Sequence, residues 1–315
     1  MKLLTHKQIS YSLKAPALLA SAVLTFAFTP LAAEQTIQVG QEAYYMADDG
    51  NQRINLSGRL RMLSQRIPGM ACNCAAGIET AASEANLAAA VEEFSVILAG
   101  LQVGDPDLEI YGPEDSRRIL NGINQLQERW EPIETLAADV LARNAENAAV
   151  DELAASSLPL LTDAQILVGR IVERHYDHVF EVQSEAFTID FAGRQRMLLQ
   201  QMSKNICLLH TETATEQTLQ ELEKGYALFD ATLTALQNGM PEVGVLAPLN
   251  ETVADGLQVV DDGWTALNPL LQRAMAGEKF DEATRVQLFH DLNALTGKMN
   301  ETVKMYVQAT APESA

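Results

Sequence analysis

Residues Ile54–Arg66 read INLSGRLRMLSQR, and residues Ile189–Gln201 read IDFAGRQRMLLQQ. The two stretches align at an offset of 135 residues (54 to 189), which pairs Gly58 with Gly193, Arg59 with Arg194, Arg61 with Arg196, Met62 with Met197 and Gln65 with Gln200. The register holds beyond the motif. Cys72 meets Cys207, Phe94 meets Phe229, Leu98 meets Leu233, Gly104 meets Gly239 and Pro106 meets Pro241, and the only two tryptophans, Trp130 and Trp264, match after a slip of one. A constant spacing over that length marks a duplicated domain.

The 315 residues leave room for two domains of ordinary size. Residues 1–33 have the layout of an export signal. Lys2, Lys7 and Lys14 precede a mostly apolar run over Ala17–Phe28, and Pro30-Leu31-Ala32-Ala33 offers small residues for cleavage. An uncleaved N-terminal anchor is the other reading, though the run is short for a full span. No second long apolar segment is expected after it. The plan is therefore an export signal at 1–33, a first repeat at 34–175 and a second at 176–310, in a periplasmic protein.

Removing a signal with three lysines and no acid takes the net charge from −20 to −23. Such a surface repels nucleic acid and anionic lipid, so no nucleic-acid partner is expected. Against this acidic background, Asn51–Ile78 contains no Asp or Glu but holds Arg53, Arg59, Arg61 and Arg66. Phe191–Thr211 likewise lacks acids and holds Arg194, Arg196 and Lys204. These segments are either anion sites or basic faces paired with acids from neighbouring helices.

Few aromatics, abundant alanine and leucine, and the lack of long alternating runs indicate an all-α fold. The first helix is expected from about Gln41 through the motif, with Pro68-Gly69 kinking or ending it. A second spans about Ser83–Leu101. A third opens at Pro113, with Glu114 and Asp115 in its first turn, and runs towards Ala145. A fourth begins near Leu158-Pro159. The second repeat follows with its motif helix, a helix over Thr215–Gln237, another opened by Pro248, and a last one over Asp281–Val307. Two tandem antiparallel four-helix bundles result. If the helix before the second motif runs on unbroken, the bundles stack end to end; if it turns near His175–Phe180, they lie side by side.

In a helix Gly58 and Arg61 share a face, as do Gly193 and Arg196. A mid-helix glycine costs about 1 kcal/mol against alanine, so it calls for a reason: close approach of another helix, or room for a ligand beside the arginine. A guanidinium is a permanent cation whose planar fork of donors suits a planar oxyanion. Cys72 and Cys207 each lie eleven residues after their arginine, about three turns and roughly 16 Å along the same face. Parallel, adjacent motif helices would allow a Cys72–Cys207 bridge; otherwise both are buried thiols. Cys74 is left over in such a pairing. His175 and His178 form an i,i+3 pair with no third ligand at matching spacing, so no metal is expected. No nucleophile motif, phosphate-binding glycine loop or CxxC pair is present, so no catalytic residue, cofactor or enzyme activity is assigned.

The G-x-x-R-M core of both repeats resembles the segment shared by PilJ-type chemotaxis-transducer sensor domains and the periplasmic sensor domains of NarX- and NarQ-like nitrate/nitrite histidine kinases. The first repeat continues in the family pattern through Gln65 and Arg66; the second departs from it at Leu199 and Gln201. In the nitrate kinases the arginine three residues after the glycine, supplied by both subunits of a dimer, grips nitrate beside the glycine backbone. The resemblance implies that Arg61, Arg196, Gly58 and Gly193 form an anion site for nitrate or nitrite, the tandem chain imitating the dimer. Arg59, Arg194, Gln65 and Gln200 are expected to support that site from behind, with Met62, Leu63, Met197 and Leu198 in the core. Those receptors lead into a transmitter domain, whereas this sequence shows none. A binding protein that reports to a membrane signalling partner is expected, in monomeric or homodimeric form. The rival expectation is a helical adaptor for protein–protein association.

Overall fold

Leu56, Leu60, Leu63, Ile67 and Met70 recur at helical spacing and are all buried, as are Ile189, Ala192, Leu199, Met202 and Ile206 in the second copy. The motif helices are buried on their other sides too, since Ser57, Arg61, Ser64 and Gln65 are almost wholly shielded. A helix covered all round belongs at the centre of an assembly. The computed structural model describes residues 31–142, 147–175, 180–212 and 214–310.

Among these residues the chain forms eight helices: α1 (Leu31–Ala75), α2 (Thr80–Val103), α3 (Arg117–Leu141), α4 (Asn147–His175), α5 (Phe180–Leu209), α6 (Glu216–Asn238), α7 (Glu251–Met275) and α8 (Glu282–Ala309). The only β pairing among them is two isolated bridges, Asp105 with Ile110 and Met240 with Val245. Both motif stretches fall within one compact unit, Gln41–Ala315. Residues 1–30, most of the expected export signal, lie outside the described residues, as does His178.

The motif helices α1 and α5 lie side by side and parallel. Cys72 and Cys207 are joined by a disulfide with Cα atoms 6.2 Å apart, and a Cβ on Gly69 would stand 3.4 Å from the Lys204 backbone. Both contacts join residues separated by the repeat offset, so the copies are related by an approximate two-fold axis between the two helices. With α1 and α5 side by side, the bundles are lateral neighbours rather than stacked end to end. Around this pair α3 packs on α2 and α4, while α6 and α8 flank α5 and α7 packs between them.

The outer helices repeat their details. Trp130 stacks on Phe94 at 4.1 Å and its indole N–H donates to Ser95. Trp264 packs on Phe229 at 4.3 Å and donates to Asp230, the counterpart of Ser95. The bridged turns after α2 and α6 open on Gly104 (φ 84°) and Gly239 (φ 77°), a backbone region that favours glycine.

The helix boundaries depart from expectation at the prolines. Pro159 lies inside α4, which begins at Asn147 rather than near Leu158, whereas Pro68 lies inside α1, so of the two outcomes expected there it does not end the helix. In α4 the turns before Pro159 bury Val150 and Leu153, and this packing outweighs the local cost of proline. Helix α3 starts at Arg117 rather than Pro113 because Ser116 caps it, while the Glu114 carboxylate accepts from the Asp115 and Ser116 amides. Asn250 caps α7 two residues after Pro248 by accepting from the Val253 amide at 2.9 Å. Among the described residues one helix, α2, is long and apolar enough to cross a membrane by length and composition, contrary to the expectation of no second such segment. Its Leu87, Phe94, Ile97 and Leu101 are buried in the bundle core.

Candidate functional site

Arg61 and Arg196 meet across the seam between the repeats. A Cβ on Gly58 would stand 3.2 Å from the Arg61 Nη2 and 3.5 Å from the Arg196 Nη2; on Gly193 the distances are 3.3 Å to Arg196 and 3.5 Å to Arg61. The glycines thus leave room for two guanidinium groups, rather than for a helix backbone. Both arginines are essentially inaccessible, at 1% and 0% exposure.

Each arginine reaches the opposite repeat at the same motif position. Arg61 Nη2 pairs with the Asp190 carboxylate at 2.6 Å. Arg196 Nη1 donates to the Asn55 side-chain oxygen at 2.9 Å, and its Nη2 donates to the Asn55 backbone carbonyl at 3.1 Å. Asn55 and Asp190 are counterparts in the repeat. The two-fold relation therefore holds in geometry and fails in charge: one guanidinium faces an acid and the other an amide.

Most other cations of the motif segments are paired. Arg53 bonds to Asp49 and lies 3.7 Å from Glu114. Arg59 contacts Glu93 and donates to Asn300 Oδ1, and Arg194 bonds to Asp190 at 2.8 Å. Lys204 lies 3.7 Å from Glu221. Paired basic faces thus account for much of both acid-free segments. Arg66 donates to Asn86 Oδ1 at 2.8 Å and stays partly exposed. Arg196 is the fully buried exception, since its donors go to Asn55, Asn300 and the Gly193 carbonyl, and among the described residues no carboxylate lies within ion-pair distance of it.

The titration shifts follow. Burial, then repulsion from Arg59 and Arg61, pushes the Arg196 guanidinium well below its ordinary pKa. Burial lowers Arg61 as well, with Asp190 opposing it. Burial raises the Asp190 carboxyl, but Arg61 and Arg194 together draw it below its usual value. A buried permanent cation with only neutral acceptors has a high free energy, which an anion at the seam would lower.

The supporting residues divide. Arg59 and Arg196 share Asn300 as acceptor, and Arg194 and Arg61 share Asp190, so both outer arginines touch a partner of the central pair. Gln65 instead bonds to Ser64 and to the Ser157 carbonyl, and Gln200 bonds to Thr296 at 2.8 Å; these glutamines tie α1 to α4 and α5 to α8. Met62, Leu63, Met197 and Leu198 lie in the core.

Asn55, Asp190 and Asn300 were not singled out from sequence. The change from Asn55 to Asp190 between two otherwise similar motifs was a visible signal, because it places one acid beside two arginine pairs. Asn300 had none, since it comes from α8, far along the chain.

A search of the curated proteins finds no relative of this chain. The family described as PilJ, type IV pili methyl-accepting chemotaxis transducer N-terminal, matches it twice, over residues 45–155 and 179–288. These segments correspond to the two bundles whose motif helices carry the arginines, and together they cover more than half of the sequence. The chain belongs to the PilJ family, with two copies of its N-terminal transducer domain in tandem.

Proposed function

We propose that this protein is an exported sensor of a small monovalent oxyanion, nitrate or nitrite, which binds at the seam between its repeats and whose occupancy is relayed to a membrane signalling partner. The family is one of transducer sensing regions, and the carrying observation is Arg196, a fully buried cation held only by neutral acceptors. An oxyanion between Arg61 and Arg196 would supply the missing negative charge. It would compete with Asp190 for Arg61, so binding would shift α5 against α1. That shift couples occupancy to the relative position of the bundles.

One observation favours a second reading. Asp190 already neutralises Arg61, as a closed polar contact holding two bundles of a helical adaptor would require. Ligand-linked stability separates the two, because only a ligand that prefers the folded form raises it. Thermal unfolding of the purified protein with nitrate, nitrite, chloride and sulfate is the test. Nitrate or nitrite should raise the midpoint selectively and saturably, and Arg196→Met should abolish the rise. Equal shifts with all four salts, or none, would overturn the sensor reading.

A further inference from the structure

A polar cleft of about 360 Å³ opens between α4, α5 and α6, and neither Arg61 nor Arg196 lines it. Its floor is unusual for a bundle. Lys204, with a side chain only 2% exposed, donates to Ser157 Oγ at 3.0 Å and stands 3.7 Å from the Glu221 carboxylate. Beside it Asn205 is fully buried, and neither its amide oxygen nor its amide nitrogen has a hydrogen-bond partner. Both residues line the cleft, together with Glu221 and the exposed Asp151 nearer its mouth and the apolar surfaces of Ala154 and Leu208.

The duplication supplies an internal control. At the positions equivalent to Lys204 and Asn205 the first repeat has Gly69 and Met70, and Met70 is fully buried. The fold thus accepts an apolar residue where the second copy holds an amide with no partner. A buried amide left unpaired is unfavourable, and a ligand that completes its hydrogen bonds gives it a purpose.

We propose that this cleft binds a zwitterionic α-amino acid. The carboxylate would sit on Lys204 Nζ and the Asn205 amide N–H, while Ser157, whose hydroxyl donates to the Ala154 carbonyl at 2.7 Å, accepts from Lys204 and holds its Nζ in place. The ammonium would face Glu221 and Asp151, and the side chain would lie along Ala154 and Leu208. The arrangement provides a cation and a neutral amide donor at depth and acids towards the mouth, which matches the dipole of a zwitterion and neither a lone carboxylate nor a lone amine. The volume falls in the range of small-molecule sites.

The test is thermal unfolding and calorimetric titration of the full chain with each proteinogenic amino acid, with acetate and methylammonium as half-ligand controls. At least one amino acid should bind saturably and raise the melting temperature, while acetate and methylammonium should not. Asn205→Met, which installs the residue of the first repeat, should melt higher than the parent without ligand and bind about tenfold or more weakly. Lys204→Met should lose the response, whereas Arg196→Met should keep it, which separates this site from the oxyanion seam. No binding by any amino acid, equal binding of acetate, or full retention in Asn205→Met would overturn the proposal.

Discussion

Replacing Asp190 by asparagine would restore the chemical symmetry of the seam, since Asn55 is its counterpart, and should destabilise the protein severely. Arg61 and Asp190 are 2.6 Å apart with side chains 2% and 5% exposed. Removing one partner of such a pair strands the other charge without water, at a cost of about 3–5 kcal/mol. The Arg194 contact adds little, because that arginine is 48% exposed and such pairs are weak. At roughly 2–3 °C per kcal/mol for a domain of this size, the melting temperature should fall by about 6–15 °C. Urea unfolding of Asp190→Asn beside the double variant Asp190→Asn/Arg61→Met measures this directly. The double variant removes the stranded charge as well and should recover most of the loss. The acid limb gives a second check. A carboxyl held below its unfolded pKa contributes stability that is present above about pH 3.9 and lost as pH falls through the folded value, so the gap between parent and variant should close in strong acid. A single variant within about 0.5 kcal/mol of the parent at pH 7, or a double variant no better than the single, would refute the claim that Asp190 neutralises a buried Arg61.

Two further outcomes are expected. Cys72→Ser/Cys207→Ser should cost about 2–5 kcal/mol, since the bridge closes a long loop and constrains the unfolded chain; the parent should show the same loss in urea melts under reducing conditions, and the variant should be insensitive to reductant. His210 accepts from the Phe280 amide through Nε2 at 2.8 Å while its Nδ1 faces the Ile206 carbonyl, an arrangement that needs the neutral ring. Burial, with Lys279 and Arg285 adding to it and Ile206 opposing, lowers its pKa. Stability should therefore decline as pH falls below about 6.5, and pH-dependent melts of His210→Asn should show a flatter profile.

The helices and their duplication were legible because they rest on local periodicity and a fixed offset. The packing of the motif helices was not, since nothing between Gly169 and Gly193 breaks a helix and the side-by-side placement of α1 and α5 rests on contacts between residues 135 apart in the chain. Pro159 shows the same limit: local chemistry argues for a helix start there, and the buried residues before it overrule that. Arg61 and Arg196 could be chosen from the motif. Their partners could not, because Asn300 arrives from α8 and the cross-seam exchange with Asn55 and Asp190 exists only once α1 and α5 lie parallel. The glycines were expected to admit a helix backbone or a ligand, and the atoms nearest to them are instead the guanidinium groups of Arg61 and Arg196.

The tandem arrangement also changes which sequences are accessible. In a homodimer each substitution at a two-fold interface is written twice, so an acid introduced against one arginine appears against both, and a polar residue opening one cleft opens its mate. A single chain with two copies is released from that rule. It can neutralise one guanidinium with Asp190 while leaving its twin on Asn55, and can line a cleft with Lys204-Asn205 while the other copy keeps Gly69 and a buried Met70. An interface that began as two equal halves can then become directional, with a charge balance on one side of the seam that its twin does not share.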